Sequence, residues 1–172
     1  MKEKCYENYP AGSVILANLL QIAIYVIGAV IISRLGLVSL GTYILYIVWL
    51  EIRLLRRSCV NCYYYGKYCA FGKGKLCSLF FKKGNPKKFW KDNITWKDIL
   101  PDFLVSIIPM VVGIVLMIIS FNWSLLVLVV LLFLLSSVGT GLVRSSLACK
   151  HCKQRELGCP AEELFNKEKK KR

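Results

Sequence analysis

Four stretches of the chain, residues 11–33, 37–55, 100–119 and 125–143, read as nearly unbroken apolar runs, and what separates them is polar, basic or aromatic. A helix needs about 20 apolar residues to cross the hydrocarbon of a bilayer, and none of these runs keeps the polar stripe of a helix that covers a soluble core. The exceptions are Glu51 and Arg53, both at the end of the second run. The pattern predicts an all-α membrane protein with four transmembrane helices. The first run is too long for a cleavable signal, starts behind a mixed-charge segment and lacks a small-residue cleavage site, so it is expected to stay as a helix.

The connections come in two kinds. Tight turns join the first run to the second and the third to the fourth, while long basic segments follow each pair. The chain therefore divides into a first hairpin (1–56), a loop rich in cysteine, lysine and aromatics (57–98), a second hairpin (99–146) and a terminal segment (147–172). Composition sharpens this division. The 172 residues are 56% hydrophobic with a mean hydropathy of +0.51, yet the formal net charge is +14. Of the 24 Lys and Arg residues only Arg34 falls in a tight turn, and the others lie on one side of the predicted bilayer. The positive-inside rule places that side in the cytoplasm, which predicts a multi-pass protein of the cell membrane with both termini and the 57–98 loop cytoplasmic. Trp49 and Trp123 suit interfacial belts at opposite faces.

The candidate chemistry lies in the long segments. C-x2-C-x6-C occurs twice, as Cys59, Cys62 and Cys69 and as Cys149, Cys152 and Cys159. Pro10 precedes the first copy and Pro101 the second at nearly equal distance, so each half reads as proline, helix, turn, helix, cysteine motif. The expected architecture is thus two parallel helical-hairpin repeats, each followed by a cytoplasmic cysteine motif. An even number of spans per repeat puts both motifs on one face, where they can meet.

A C-x2-C turn lets two thiolates grip one ion, and a cysteine six residues on can return to it. Cys77 offers a fourth ligand in the first copy; aligning Leu79-Phe80 with Leu164-Phe165 puts Glu162 opposite it in the second. His151 and Cys5 are weaker candidates, His151 because it adjoins Cys152 and Cys5 because it stands alone near a terminus. A reducing cytoplasm argues against structural disulfides, and the 57–98 loop has too few aliphatic residues for a core of its own, so a metal, a redox pair or a partner surface is expected to hold it. Zinc is the default metal for such thiolates. An iron–sulfur cluster is the alternative, because Cys159-Pro160 resembles the close of bacterial ferredoxin motifs. Metal-free dithiol chemistry is a third reading, although no thioredoxin-like βαβ pattern surrounds the cysteines.

The six paired cysteines also resemble the binuclear zinc cluster of fungal transcription regulators, which implies one cluster shared by Cys59, Cys62, Cys69, Cys149, Cys152 and Cys159. The segment from Ala148 to Glu162, with the Ile- and Lys-rich composition, resembles uncharacterised small multi-pass membrane proteins of methanogenic archaea. That resemblance implies no function.

Phe80-Phe81-Lys82-Lys83 and Lys87-Lys88-Phe89-Trp90-Lys91 interleave rings with cations, a pattern that suits anionic lipid headgroups, and nucleic acid is not expected as a partner because no recognition motif accompanies the charge. Asn18 and Gln21 share a face of the first helix, and Ser136, Ser137, Gly139, Thr140 and Gly141 form a small polar stretch in the fourth; helix packing is the expected role of both. Asn93 and Asn122 begin glycosylation sequons, one in the cytoplasmic loop and one in a tight turn. No nucleotide loop or nucleophile constellation is present, and an enzyme is not expected. The sequence therefore points to a membrane protein whose thiolate metal module serves as a structural or docking scaffold for a protein partner. An iron–sulfur electron carrier is the first alternative, and a small transporter with a cysteine sensor or gate is the second.

Overall fold

In a computed structural model, which describes residues 5–85, 96–157 and 159, the chain is helical, and among the described residues the β contact is a single parallel bridge between Tyr6 and Cys152. Four helices are long and apolar enough to cross a membrane. They are α1 (Ala11–Ser33), α2 (Leu37–Arg57), α4 (Trp96–Ile119) and α5 (Trp123–Ala148). Two short helices, α3 (Lys73–Phe80) and α6 (Lys153–Leu157), follow the first and second hairpins. The observed α1 has the predicted bounds. The others run longer, because polar ends such as Glu51 to Arg57 continue as helix beyond their apolar stretch.

α1 and α4 form the centre of the bundle, and each packs against the other three long helices, with α2 and α5 flanking. Ile24, Ile31, Leu125, Val129 and Leu132 make the apolar core, with Met110 and Leu116 packed against it. Most other apolar side chains of these helices face outward, among them Ile15, Leu19, Ile22 and Val26 on α1. Outward leucine and isoleucine on every helix suit a lipid solvent and would be costly in water.

α2 departs from the all-round apolar reading. Tyr43, Tyr46, Leu50, Arg53 and Arg57 recur at helical spacing, and four of them bond to α4: Tyr43 Oη donates to Val105 O (2.8 Å), Tyr46 Oη to Pro101 O (2.9 Å), Arg53 Nη2 to Asp98 O (3.2 Å) and Arg57 Nη1 to Asp98 Oδ1 (2.7 Å). The first bond has a specific cause. Pro109 lies inside α4 and has no N–H, which leaves the carbonyl four residues back, that of Val105, without its helical donor. In hydrocarbon such a carbonyl needs a substitute, and the Tyr43 hydroxyl supplies it. Gly28 of α1 makes the room, since a Cβ there would collide with the Tyr43 hydroxyl and press on Pro109.

The small polar stretch of α5 serves its own helix. Ser136 and Ser137 donate to Phe133 O and Thr140 to Leu135 O, within a segment that widens to π-helix at Leu135–Gly139 and again at Val143–Ala148. Gly139 packs against Leu20 of α1. Asn122 caps α5, accepting from the Ser124 N–H at 2.9 Å. Asn93 and the Lys87–Lys91 cluster lie outside the described residues.

Candidate functional site

Both cysteine motifs lie at the same end of the bundle. α2 stops at Arg57, and Cys59–Asn61 tighten into a single 3₁₀ turn, so that Cys62 N–H donates to Cys59 O (3.3 Å) and Tyr65 N–H to Cys62 O (3.1 Å). α5 ends at Ala148, and there Cys152 N–H donates to Cys149 O (3.3 Å) and Arg155 N–H to Cys152 O (3.1 Å). The two C-x2-C turns thus share one backbone hydrogen-bond pattern.

Beyond this turn the copies differ. In the first, the chain folds back so that Gly66 N–H donates to Gly74 O (3.0 Å) and Gly74 N–H to Cys69 Sγ (3.4 Å). Gly74 lies so close to Tyr64 O that no Cβ fits. Cys77 is fully buried on the inner face of α3, its thiol donating to Leu55 O (3.6 Å). In the second copy the chain enters α6 at once, and the side chain of Gln154 is buried against the first motif. Its Oε1 accepts from Tyr63 N–H at 2.8 Å and from the Cys62 thiol at 3.8 Å.

The segment before α1 straps the two motifs together. Tyr6 N–H donates to His151 O (3.0 Å) and Tyr9 N–H to Tyr68 O (3.0 Å), while the Tyr9 hydroxyl donates to Ala148 O. The Tyr64 hydroxyl donates to Tyr6 O (2.6 Å) and accepts from Lys153 N–H (3.0 Å). Tyr9, Tyr64, Ala70 and Ala148 form a buried cluster with Tyr6, Tyr63, Phe71, Cys62, Cys69 and Cys152 packed against it. The loop has no core of its own, as its few aliphatic residues imply, and shares one with the segments before α1 and after α5. That core is aromatic, drawn from three distant segments, and each buried hydroxyl is spent on a backbone carbonyl.

Electrostatics links the thiols across the copies. Cys59 lies in the field of Cys69, Cys77 and Cys62. Burial pushes the Cys62 thiol up to about 11, with Cys152, Cys69 and Cys159 adding to the rise and a backbone N–H opposing it. Burial also raises Cys152, against backbone N–H groups of Gln154 and Arg155 that favour its thiolate, and it raises Cys77. Burial drives Tyr64 up to about 12. Cys149 is exposed and acts on Cys152. Cys5 bonds to Glu156, and the His151 ring lies on Tyr6 with centroids 4.7 Å apart. Glu162 is outside the described residues.

Among the described residues no three Cys, His, Asp or Glu side chains stand close enough together to hold a metal ion. Two sulfurs are turned to protein acceptors instead, Cys62 to Gln154 and Cys77 to Leu55. The sequence reading missed Tyr6, Tyr9 and Gln154. Tyr6 and Tyr9 stand in the sequence as two rings before the first helix, with nothing to show where their hydroxyls go, and Gln154 carries no signal in one sequence. No family model matches the chain, and no curated protein or solved structure matches it.

Proposed function

We propose that the chain is a scaffold in the cell membrane whose two cysteine motifs form a thiolate module on the cytoplasmic face, with zinc as its metal and a protein partner docking on the ordered surface. The observation that carries this reading is the meeting of two C-x2-C turns with matching backbone bonds at one end of the bundle, where Cys62 of one copy lies in the field of Cys152 and Cys159 of the other. The matched turns, with α1 and α4 central and α2 and α5 flanking, also support two parallel repeats. The cytoplasmic assignment rests on the lysine and arginine distribution.

Loading has a defined chemical requirement. Zinc takes thiolates, so Cys62 and Cys77 must release their protons and turn from Gln154 and Leu55 toward the ion. The Gly74 N–H already faces Cys69 Sγ, a donor of the kind that stabilises charge on sulfur. The transport alternative has weaker support, because Asn18 spends its amide on Val14 O (2.8 Å) and Phe71 O (3.3 Å), pinning the loop to α1.

Anaerobic purification of the full chain, followed by elemental analysis and a visible spectrum, tests the proposal. A colourless protein with at least one zinc per chain is expected. Brown protein carrying iron and sulfide would replace the scaffold by an electron carrier, and metal-free protein from zinc-replete cells would sink the metal module altogether.

A further inference from the structure

A second feature of the same end makes no use of the thiols. Between α1, α2 and the start of α3 lies a cleft of about 360 Å³, bounded by Asn18, Gln21, Tyr25, Glu51, Lys73 and Leu76. Glu51 and Lys73 face each other in it at 2.9 Å, and the Tyr25 hydroxyl donates to the same carboxylate at 2.7 Å. Neither charged side chain is fully exposed, and Ile22, Phe71 and Leu76 supply the apolar part of the wall beside them.

The depth of the cleft is set by its helices. At 1.5 Å per residue Glu51 lies about 21 Å along α2 from Leu37, and Asp102 lies about 26 Å along α4 from Ile119. Asp102 is in the field of Arg53, Arg144, Lys73 and Glu51, so these charges form one belt. Hydrocarbon is about 30 Å thick, which puts the belt near its boundary, where headgroups begin. α3 continues from the cleft with Leu76, Leu79 and Phe80 exposed on one side and Cys77 buried on the other. An eight-residue helix with that outward face, followed by exposed Lys82 and Lys83, suits a bilayer surface.

We propose that this cleft binds a zwitterionic amino-phospholipid, with Lys73 on the phosphate, Glu51 on the primary ammonium and the acyl chains leaving past Ile22 and Leu76. Charge balance selects the class. The Glu51–Lys73 pair has no net charge, and a neutral zwitterion exchanges this one ion pair for two. An anionic or cationic ligand would leave an uncompensated charge at low dielectric. The ammonium selects within the class, since a primary amine donates hydrogen bonds to Glu51 and a quaternary choline has none to give.

The test is native mass spectrometry of the full chain, released from nanodiscs containing equal amounts of phosphatidylethanolamine, phosphatidylcholine and phosphatidylglycerol with identical acyl chains. Phosphatidylethanolamine should be retained at least about fivefold over each of the others. Glu51→Gln and Lys73→Met should each bring that excess below about twofold in protein of unchanged helicity, and millimolar soluble glycerophosphoethanolamine, which carries the same phosphodiester and ammonium, should not displace the lipid. No excess in the unmodified protein overturns the proposal without recourse to any variant. So does preferential retention of phosphatidylglycerol, an excess that survives both variants, or displacement by the soluble headgroup.

Discussion

Tyrosine hydroxyls join segments in both regions of the molecule, but they do so under different solvents. In the bundle, Tyr43 and Tyr46 reach from α2 to carbonyls of α4. At the cysteine end, Tyr9, Tyr64 and Tyr65 reach to Ala148, Tyr6 and Phe81. In each case the hydroxyl ends on a backbone carbonyl, and all but Tyr65, whose partner lies in the same loop, join two distant segments. In a bilayer a broken bond in the bundle would have no water to replace it, whereas the cysteine end, outside the hydrocarbon, would depend on many weak ties meeting in a small aromatic core. The bundle should therefore survive changes that dissolve the motif end, and the reverse should not hold.

Gly74→Ala is the sharpest way to break that comparison. A methyl group would collide with Tyr64 O, a backbone atom that cannot swing away, and would dislodge the N–H that faces Cys69 Sγ. A loss of about 3 kcal/mol or more in the stability of the motif end is expected, the range seen when a substitution strains a packed backbone. Limited proteolysis should cut between Cys59 and Lys83 in the variant, while circular dichroism keeps the signal of the four long helices. Loss of the bundle as well would show that the two regions are one cooperative unit.

Gln154→Leu separates the copies more gently. It leaves the Tyr63 N–H and the Cys62 thiol without their shared acceptor in a buried site, at a cost of about 1–3 kcal/mol. Amide exchange should quicken at Tyr63 and in α6, and the turn at Cys59–Asn61 should remain protected. If exchange at Tyr63 is unchanged, Gln154 does not join the motifs.

Tyr43→Phe probes the bundle side. Without the hydroxyl, the Val105 carbonyl loses its substitute for the N–H that Pro109 lacks, which should cost about 1 kcal/mol, the usual scale for polar contacts between helices in bilayers. The double variant with Pro109→Ala should recover most of that loss, because residue 109 would again donate to Val105 O. Failure of the rescue in a denaturant titration in detergent would mean that Tyr43 acts through packing alone.

The four long apolar helices were legible because hydropathy needs no partner to be read, and the end of α1 at Ser33 followed from its apolar run alone. The π-helical widening of α5 was not legible, since an unbroken apolar run does not mark where a helix changes its hydrogen-bond register. That the two C-x2-C turns lie at one end of the bundle followed from helix parity alone. The strap formed by Tyr6 and Tyr9 was not, because an aromatic residue shows its hydroxyl's destination only when the distant chain is in place. Gln154 is the extreme case. A polar residue in a basic tail reads as solvent-exposed until the fold buries it against Cys62.

The smallest perturbation asks only for protons. Cys62 is pushed up to about 11 from an ordinary thiol value of 9.0, and burial is the leading cause. A raised value favours the neutral thiol in the fold, so its contribution to stability is complete below pH 9 and is lost as pH rises through 11. Alkylation needs the thiolate, and below the raised value the thiolate fraction grows about tenfold per pH unit. In metal-free protein, labelling at Cys62 should therefore quicken about tenfold from pH 8 to pH 9, while exposed Cys149 reacts ahead of it and fully buried Cys77 reacts last. Zinc bound at Cys62 would replace that slope with slow, nearly pH-independent labelling, because the sulfur is already deprotonated and is shielded by the ion. A profile at Cys62 that stays the same after zinc is added would remove this residue from the proposed ligand set, and with it the thiol that best connects the two copies.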